Sequence, residues 1–553
     1  MTTNLRAALA ADPDLGAGNV LPKLAEHGAD PERPTLTFDV DVDGIPAWTA
    51  LSLGTLTERV AARAEWFHRH GVRRRDPIAL YATSAPDVLL NAYALMWLGA
   101  IPALMNGNMP IPIAAEYVRR LRAAGLVLDA DHAALREYAL GTPILGDAAE
   151  TGTGDPALAP PHVRHHPDDP IAVTHSSGTT RTPAAAVHSH FSLFAAVRAL
   201  RLAQPRSRGQ VRELSVMPAA HAAGLVTVNQ SLCNGYELLF LSAQGGPFEH
   251  SGATILDAIE RWRPTGVFGF AVTWSELARH DLTARDLSSV RNWNSTGDCA
   301  HETHIRRLVA VGSHPVVTRG GVADLPGSRF IDMLGSTEMG HSAFEMIHTH
   351  ESDRYGRCVG KVHPFAEVVL LDRETGEEVA DGQVGHVGLK SPSLAPGYWN
   401  DSVGTYRDRL RGYYLTGDLM YRDAQGYYYH VDRANDAIDL GDGEHLYTAL
   451  SEERILTHCP DVRDCTVLAA REDDGRVVTD VLLQLVEGAD PAADREPLVR
   501  AALGEAAAVT VRRVVNVPDD GVVTGPTGKV RKFLMRQDLL AEVARGRVDP
   551  STV

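Results

Sequence analysis

An α/β fold, with a large N-terminal domain and a small C-terminal one, is what this 553-residue sequence predicts, on three observations. Helix-like and strand-like patterns alternate along the first part of the chain, the βαβ rhythm of a parallel sheet covered by helices. A run of β signals separated by turn residues fills 355–431, a small β-rich subdomain beside the parallel and mixed sheets. After Arg433 the pattern changes to a short α+β unit. The expected boundary falls near 432–435, dividing residues 1–432 from 433–553. Length agrees, because a chain of this size exceeds one core and suggests two to four domains.

The elements follow in order. LTERVAARAEWFHRHGV (56–72) has apolar residues at helical spacing and ends in glycine, so it reads as a helix. DPIALYA (76–82) reads as a short buried strand. VLLNAYALMWLGAIPALM (88–105) reads as a buried helix running into another strand. Residues 142–170 are rich in Gly, Pro, Asp and Ala and read as a surface connector ahead of the strand IAVTHS. The helix–strand rhythm returns at 211–217, at ILDAIERWRPTGVFGF (255–270) and at RFIDML (329–334). EVVLLD, GQVGHVGLK and QGYYYHVD supply the β cluster. Beyond the boundary come a helix (LYTALSEERILTHCP), strands (CTVLAARED, VVTDVLLQLVE), a helix (DREPLVRAALGEA) and a last strand (VRRVVNV). No internal repeat is evident.

Composition narrows the function. The chain is 44% hydrophobic and 22% charged, ordinary for a soluble protein, with no apolar run long enough to span a membrane and no signal-peptide pattern, so a cytoplasmic protein with no membrane partner is expected. A net charge of −17 leaves no basic stripe for nucleic acid. The five cysteines are scattered, without CxxC spacing, which speaks against a disulfide framework or a zinc site; reduced core thiols are expected. The histidine-dense stretches HVRHH (162–166) and HTHE (348–351), with His341, lack clean ligand spacing as well.

The chemistry is carried by seven stretches in one order: THSSGTTRTP (174–183), MPAAHAAGL (217–225), DLSSVRNWNSTGDCA (286–300), MLGSTEMG (333–340), GQVGHVGLKSPSLAPGYWN (382–400), GYYLTGDLMYRDAQGYYYHVDRANDAID (412–439) and TGPTGKVRK (524–532). The first packs hydroxyls, glycine and free backbone N–H groups into a cradle for anionic oxygens. A loop of that kind usually carries a lysine, yet none lies between Lys23 and Lys361.

Taken together, these stretches resemble the adenylate-forming superfamily of acyl- and aryl-CoA synthetases, luciferases and peptide-synthetase adenylation domains, from about residue 50 to about 540. The resemblance implies formation of an acyl-adenylate from ATP and a carboxylic acid, with pyrophosphate released. It implies that Ser176, Ser177, Gly178, Thr179 and Thr180 hold phosphate, that Thr337 contacts phosphate, and that Gly335 and Ser336 bind the nucleotide beside it. Glu338 would hold Mg²⁺, a hard cation suited to carboxylate and phosphate oxygens. Gly297 and Asp298 would lie against adenine, Asp418 would accept from the ribose hydroxyls, and Arg433 would sit near ribose and phosphate. His221 would lie near the acid as gate or donor. Lys529, in Pro526-Thr527-Gly528-Lys529, would supply the missing positive charge from the C-terminal domain. Charge stabilisation of this sort is often the largest catalytic term.

The pattern also departs from the family. The phosphate loop continues Arg181-Thr182-Pro183-Ala184-Ala185 where Gly-x-Pro-Lys-Gly is common, so Arg181 is expected to replace part of the lost charge. Leu334 stands for an aromatic residue, Asn435 occupies the hinge, and Asp439 with the loop LGDGEH makes CoA use less certain. Alanines surround His221, and no aspartate stands where amino-acid-activating domains anchor an α-amine. Phe268, Phe270, Trp274 and Trp293 are candidate pocket walls. The expected partners are a small-molecule acid and CoA or another nucleophile, with a homodimer allowed; ATP and Mg²⁺ are required, and CoA is the default co-substrate. The leading expectation is an acyl-CoA ligase for a small or aromatic acid. The alternative is a CoA-independent adenylating enzyme that hands its activated acid to an amine, including adenylation of nitrite for diazotization of an aryl amine. A degenerate, non-catalytic binding protein is a third reading, disfavoured because Lys529, Glu338, Asp418 and Arg433 are all present.

Overall fold

The computed structural model describes residues 3–176, 183–203, 211–242, 251–318, 321–525 and 529–546. Its core is made of strands too apolar to face water on either side. Gly266–Phe270 and Ile101–Asn106 are buried at every position, the signature of parallel strands covered on both faces. The first lies in a 14-stranded sheet, where Pro34–Phe38, Glu237–Phe240, Arg212–Ser215, Gly266–Phe270, Asn292–Thr296 and Arg329–Met333 run parallel in that spatial order. The sheet then turns antiparallel through Phe344–His348, Cys358–Val362, Tyr428–Arg433, Tyr413–Arg422, Gly385–Lys390 and Glu367–Leu371, the β-rich part expected from the sequence.

The second lies in a seven-stranded sheet with Pro170–His175, Pro77–Ala82, Gly125–Leu128 and Ile144–Asp147. That last strand corrects the reading of 142–170 as a connector. Ile144–Asp147 pairs in parallel with Gly125–Leu128, and 3₁₀ turns follow at Ala148–Thr153 and Pro156–Leu158. Four half-buried residues at a sheet edge carry too little apolar pattern to show against Gly and Pro neighbours.

The helices have legible causes. Leu53–Arg69 starts where Ser52 Oγ accepts from Thr55 N, and buries one side against the first core. Ala85–Leu98 is buried almost all round and ends at Gly99, whose φ of +69° favours glycine. After Arg433 the chain forms the hairpin Ile438–Gly441/Glu444–Leu446 and a three-stranded sheet of Val462–Arg471, Val477–Leu485 and Val511–Asn516. Thr448–His458 and Glu496–Leu503 pack in one apolar cluster with this sheet, Met535 and Leu539 of Lys532–Gly546 in another. All five cysteines are buried free thiols. No helix among the described residues is long and apolar enough to cross a membrane.

Candidate active site

Parallel strands deliver their carboxyl ends to one crevice, where open α/β sheets bind ligands. His175, Phe270, Thr296 and Met333 each end such a strand. The loops that follow carry Ser176, Gly297–Asp298 and Leu334–Glu338, so three of the sequence motifs converge by topology alone.

Lys529 reaches this crevice from the C-terminal part, its Nζ donating to Gly297 O at 3.2 Å. Contacts between the two parts hold it there. His301 Nδ1 pairs with Glu453 at 2.6 Å, Ser275 Oγ donates to Asp464 at 2.6 Å, and His304 Nε2 bonds Arg463 O at 3.0 Å. Gly297 adopts φ +91°, a conformation that favours glycine, and a Cβ there would press on the Phe270 ring at 3.1 Å. Burial alone would raise the Asp298 carboxyl, but Lys529 and Arg357 hold it down to about 2. It therefore stays an acceptor at neutral pH.

Asp418 and Arg433 are register partners on adjacent strands, and Arg433 Nη1 donates to Asp418 Oδ1 at 2.7 Å. Asp418 is only 4% exposed. Burial would push its carboxyl up; the guanidinium outweighs burial and keeps it well below the usual carboxylate range. His430 Nε2 lies 3.3 Å from the same oxygen. An ionised carboxylate fixed in this way has acceptor capacity for a diol.

His221 caps the helix Ala222–Asn234, its Nδ1 accepting from Ala223 N at 3.1 Å. That bond places the ring proton on Nε2, which lies 3.4 Å from Thr337 Oγ1. Burial pushes the imidazole down to about 3, helped by His175 and Lys529. It is thus a neutral donor facing the crevice. Phe270 stands edge-on to it at 5.1 Å, and Phe268 packs beside Met217 and Phe270. Trp274 and Trp293 are not pocket walls: both are 0% exposed in an aromatic core with Phe330. Both belong to a helix-covered face, which residue type alone does not distinguish from a pocket.

The phosphate end is partly described. Ser176 Oγ accepts from Ala184 N at 3.1 Å, and its carbonyl meets His175 Nδ1 at 3.0 Å. Ser177, Gly178, Thr179, Thr180 and Arg181, with Pro526, Thr527 and Gly528, lie outside the described residues. Ser295 Oγ and Ser336 Oγ are buried and have no protein partner. Gly335 backs onto Ser342. Glu338 Oε1 accepts from Tyr398 OH at 3.1 Å. Among the described residues no cluster of three or more ligating side chains could hold a metal unaided. The donor set still fits Mg²⁺ bound to a nucleotide, which needs one or two carboxylates and completes its shell with phosphate oxygens and water. Glu338 would be that carboxylate. Leu334 is buried in an apolar cluster and presents no aromatic face.

Sequence reasoning missed Arg357, His430 and His175. Arg357, at φ +64°, donates to His430 Nδ1 at 2.8 Å and reaches Asp298 at 3.4 Å. His175 accepts from Asn106 N at 3.0 Å and so ties the two central strands of its sheet to the phosphate loop. Neither position has a local spacing signal. For His430, the strand pairing beside Asp418 and Arg433 was the available clue.

Burial pushes His165, His188, His341 and His348 to about 4, as it pushes His221 to about 3. In the unfolded chain each protonates near 6.5, so stability falls as pH drops below that, at up to about 1.4 kcal/mol per unit per site. His301 opposes this: burial lowers it but Glu453 raises it above its ordinary value. The melting temperature is expected to fall by at least about 5 °C between pH 6.5 and 4.5. A flat melting curve against pH would mean these imidazoles are hydrated and titrate normally.

Known proteins bear on this site. The family model described as AMP-binding enzyme matches residues 26–399. A 3-aminoavenalumate diazotase of Streptomyces sp is 41% identical, covering 97% of this chain and 98% of that protein. A feruloyl-CoA synthase of Amycolatopsis sp is 27% identical over 76% of this chain and 80% of its own length. A 3-amino-2-hydroxy-4-methoxybenzoate diazotase of Streptomyces cremeus is 25% identical over 81% of this chain and 84% of its own. Among solved structures, an anthranilate CoA ligase in complex with anthranoyl-AMP superimposes with a TM-score of 0.81 at 18% identity, covering 97% of this chain and 99% of that one.

Proposed function

This chain belongs to the AMP-binding enzyme family of ATP-dependent adenylate-forming enzymes, and we propose that within it the protein is an ATP-dependent diazotase that adenylates nitrite and transfers the nitroso group to an aryl amine. The observation that carries this reading is 41% identity along nearly the whole chain to a diazotase. It corresponds to the alternative drawn from the sequence rather than to the acyl-CoA ligase. Two structural features support it. The residues preceding His221 are small, and Pro218, Ala219 and Ala220 line a cavity of about 20 Å³ with Thr83, Asn106 and Asn108, room for little more than a water-sized group. The hairpin Ile438–Leu446 carries Asp442 and Glu444 exposed at its tip. Exposed acids there would repel CoA phosphates by about 1 kcal/mol or less.

In the first step a nitrite oxygen attacks the α-phosphorus of ATP and pyrophosphate leaves. Lys529 neutralises the charge that builds between the two anions, and His221 Nε2–H donates to the incoming oxygen. Arg433 and Asp418 hold the nucleoside. Arg181 is assigned part of the charge at the outer phosphates. Mg²⁺ held by Glu338 would supply further charge neutralisation on the phosphates. In the second step the amine nitrogen attacks the nitroso nitrogen and AMP leaves. The proton that the attacking amine gives up returns to the oxygen of the N-nitrosamine, and loss of water then yields the diazonium. Rotation of residues 433–553 about Asn435 is the proposed switch between the steps. Asn435 O accepts from Arg536 Nη1 at 3.0 Å, which ties the proposed hinge residue to the C-terminal part.

Mixing the enzyme with Mg-ATP, nitrite and an amino-aryl acid is expected to release AMP and pyrophosphate and to give a product that couples to a naphthol as an azo dye. CoA should be unnecessary. AMP release by the aryl acid and CoA without nitrite would overturn the reading in favour of an acyl-CoA ligase.

A further inference from the structure

Of the seven ordered stretches, only GQVGHVGLKSPSLAPGYWN supplies no residue to nucleotide, metal or acid in that scheme. Its second half, residues 391–398, runs from the strand Gly385–Lys390 to the two-residue strand Gly397–Tyr398. The middle of this segment grips the loop that carries Glu338. Ala395 N donates to Glu338 O at 2.8 Å, and Ser393 Oγ donates to Met339 O at 2.9 Å. The end of the segment pairs with Ala185–Ser189, the strand that leaves the phosphate loop. Gly397 and Tyr398 are register partners of Val187 and Ala186, and Trp399 N donates to Ala185 O at 2.7 Å. The strand that enters the phosphate loop is tied in as well, because Thr337 Oγ1 donates to His175 O at 3.4 Å. The Glu338 loop is therefore fastened to both flanks of the phosphate loop, directly to one and through residues 391–398 to the other.

One side chain of the segment turns this scaffold into a contact with the carboxylate. The half-buried Tyr398 donates from its hydroxyl to Glu338 Oε1 at 3.1 Å. Its backbone is pinned: Tyr398 N donates to Thr405 Oγ1 at 2.9 Å, and the next residue donates from Trp399 Nε1 to Leu121 O at 2.9 Å. A phenol is protonated at neutral pH and can donate, whereas an ionised carboxylate has two oxygens and can only accept. A hydrogen bond to one oxygen restricts the torsions of the glutamate and leaves acceptor capacity for a cation. We infer that Tyr398 is a positioning residue for the metal: its hydroxyl holds Oε1 of Glu338 so that the remaining lone pairs of the carboxylate meet Mg²⁺ bound with the nucleotide. Carboxylates that ligate metals are commonly held in this way by a hydrogen-bond partner, and loss of the partner costs about 10- to 100-fold in metal affinity. The inference rests on the reading of Glu338 as the Mg²⁺ carboxylate and is independent of which anion is adenylated.

The test is calorimetric binding of ATP to the full-length protein, with Mg²⁺ and with EDTA, and needs no turnover. Mg²⁺ is expected to tighten ATP binding to the wild type by at least about 10-fold. Tyr398→Phe is expected to remove most of that gain while leaving the affinity in EDTA within about 2-fold. Glu338→Gln should remove the gain too, and the double variant should be no worse than Glu338→Gln alone, because both changes break one unit. Phenylalanine keeps the ring and its packing, and a melting curve checks that the fold is intact. An undiminished Mg²⁺ gain in Tyr398→Phe, with the gain lost in Glu338→Gln, would overturn the role of Tyr398 alone. Equal weakening of ATP binding with and without Mg²⁺ would also overturn it, since that is the signature of lost packing. A gain that survives Glu338→Gln would overturn the reading of Glu338 itself, and the role of Tyr398 with it.

Discussion

Replacing Lys529 with alanine is expected to cut nitrite-dependent AMP release by about 10²–10³-fold while changing ATP affinity less than about 3-fold. The size is that of one preorganised donor aimed at developing charge. The split between rate and affinity follows from where the side chain sits. Lys529 makes its described hydrogen bond to Gly297 O and holds the Asp298 carboxyl low, so it lies at the Gly297–Asp298 loop rather than at the Asp418–Arg433 pair. In the proposed reading groups of the large sheets, Asp418 and Arg433 among them, would grip ATP in the ground state. The lysine would contribute when nitrite oxygen and α-phosphate, both negative, are forced together. In that reading Arg181 serves the outer phosphates and would not substitute. A loss below 10-fold, or an equal loss in ATP affinity, would move the catalytic charge elsewhere. The two parts should stay docked in the variant, because His301–Glu453 and Ser275–Asp464 make that contact without Lys529.

Much of this architecture is readable from the chain, for physical reasons that stop at identifiable points. Parallel strands such as Gly266–Phe270 announce themselves because burial on both faces demands a continuous apolar run. Lys529, Asp418 and Glu338 stand out in the sequence because each falls in a short motif and the order of the motifs along the chain is intact. Arg357 is not readable: its partners Asp298 and His430 lie 59 and 73 residues away, and nothing local marks an arginine that will be buried. Trp274 and Trp293 mislead because a large aromatic side chain fills a core and lines a pocket equally well.

The Asp418–Arg433 pair gives the second large effect. Asp418→Asn is expected to raise the KM for ATP by about 10- to 100-fold and to leave the KM for nitrite within about 3-fold. An amide keeps the shape of the side chain but loses its charge and half its acceptor capacity, and a hydrogen bond to a charged group contributes about 1.5–3 kcal/mol. The same change removes the partner of Arg433. Arg433 is half exposed, so water takes up much of the loss; the fold should weaken by about 1–3 kcal/mol, less than for a fully buried pair. Combining Asp418→Asn with Arg433→Met distinguishes the two contributions. If the pair acts as one ribose clamp, the double variant will bind ATP only slightly worse than either single one, because each single change already breaks the clamp. Fully additive losses would mean the two residues hold different parts of the nucleotide. The depressed carboxyl of Asp418 sets the pH behaviour as well. Its stabilising ionisation is complete above the unfolded carboxylate range near 3.9 and is lost only as pH falls through its lower folded value. Between pH 5 and 9 the KM for ATP should therefore show no inflection from Asp418.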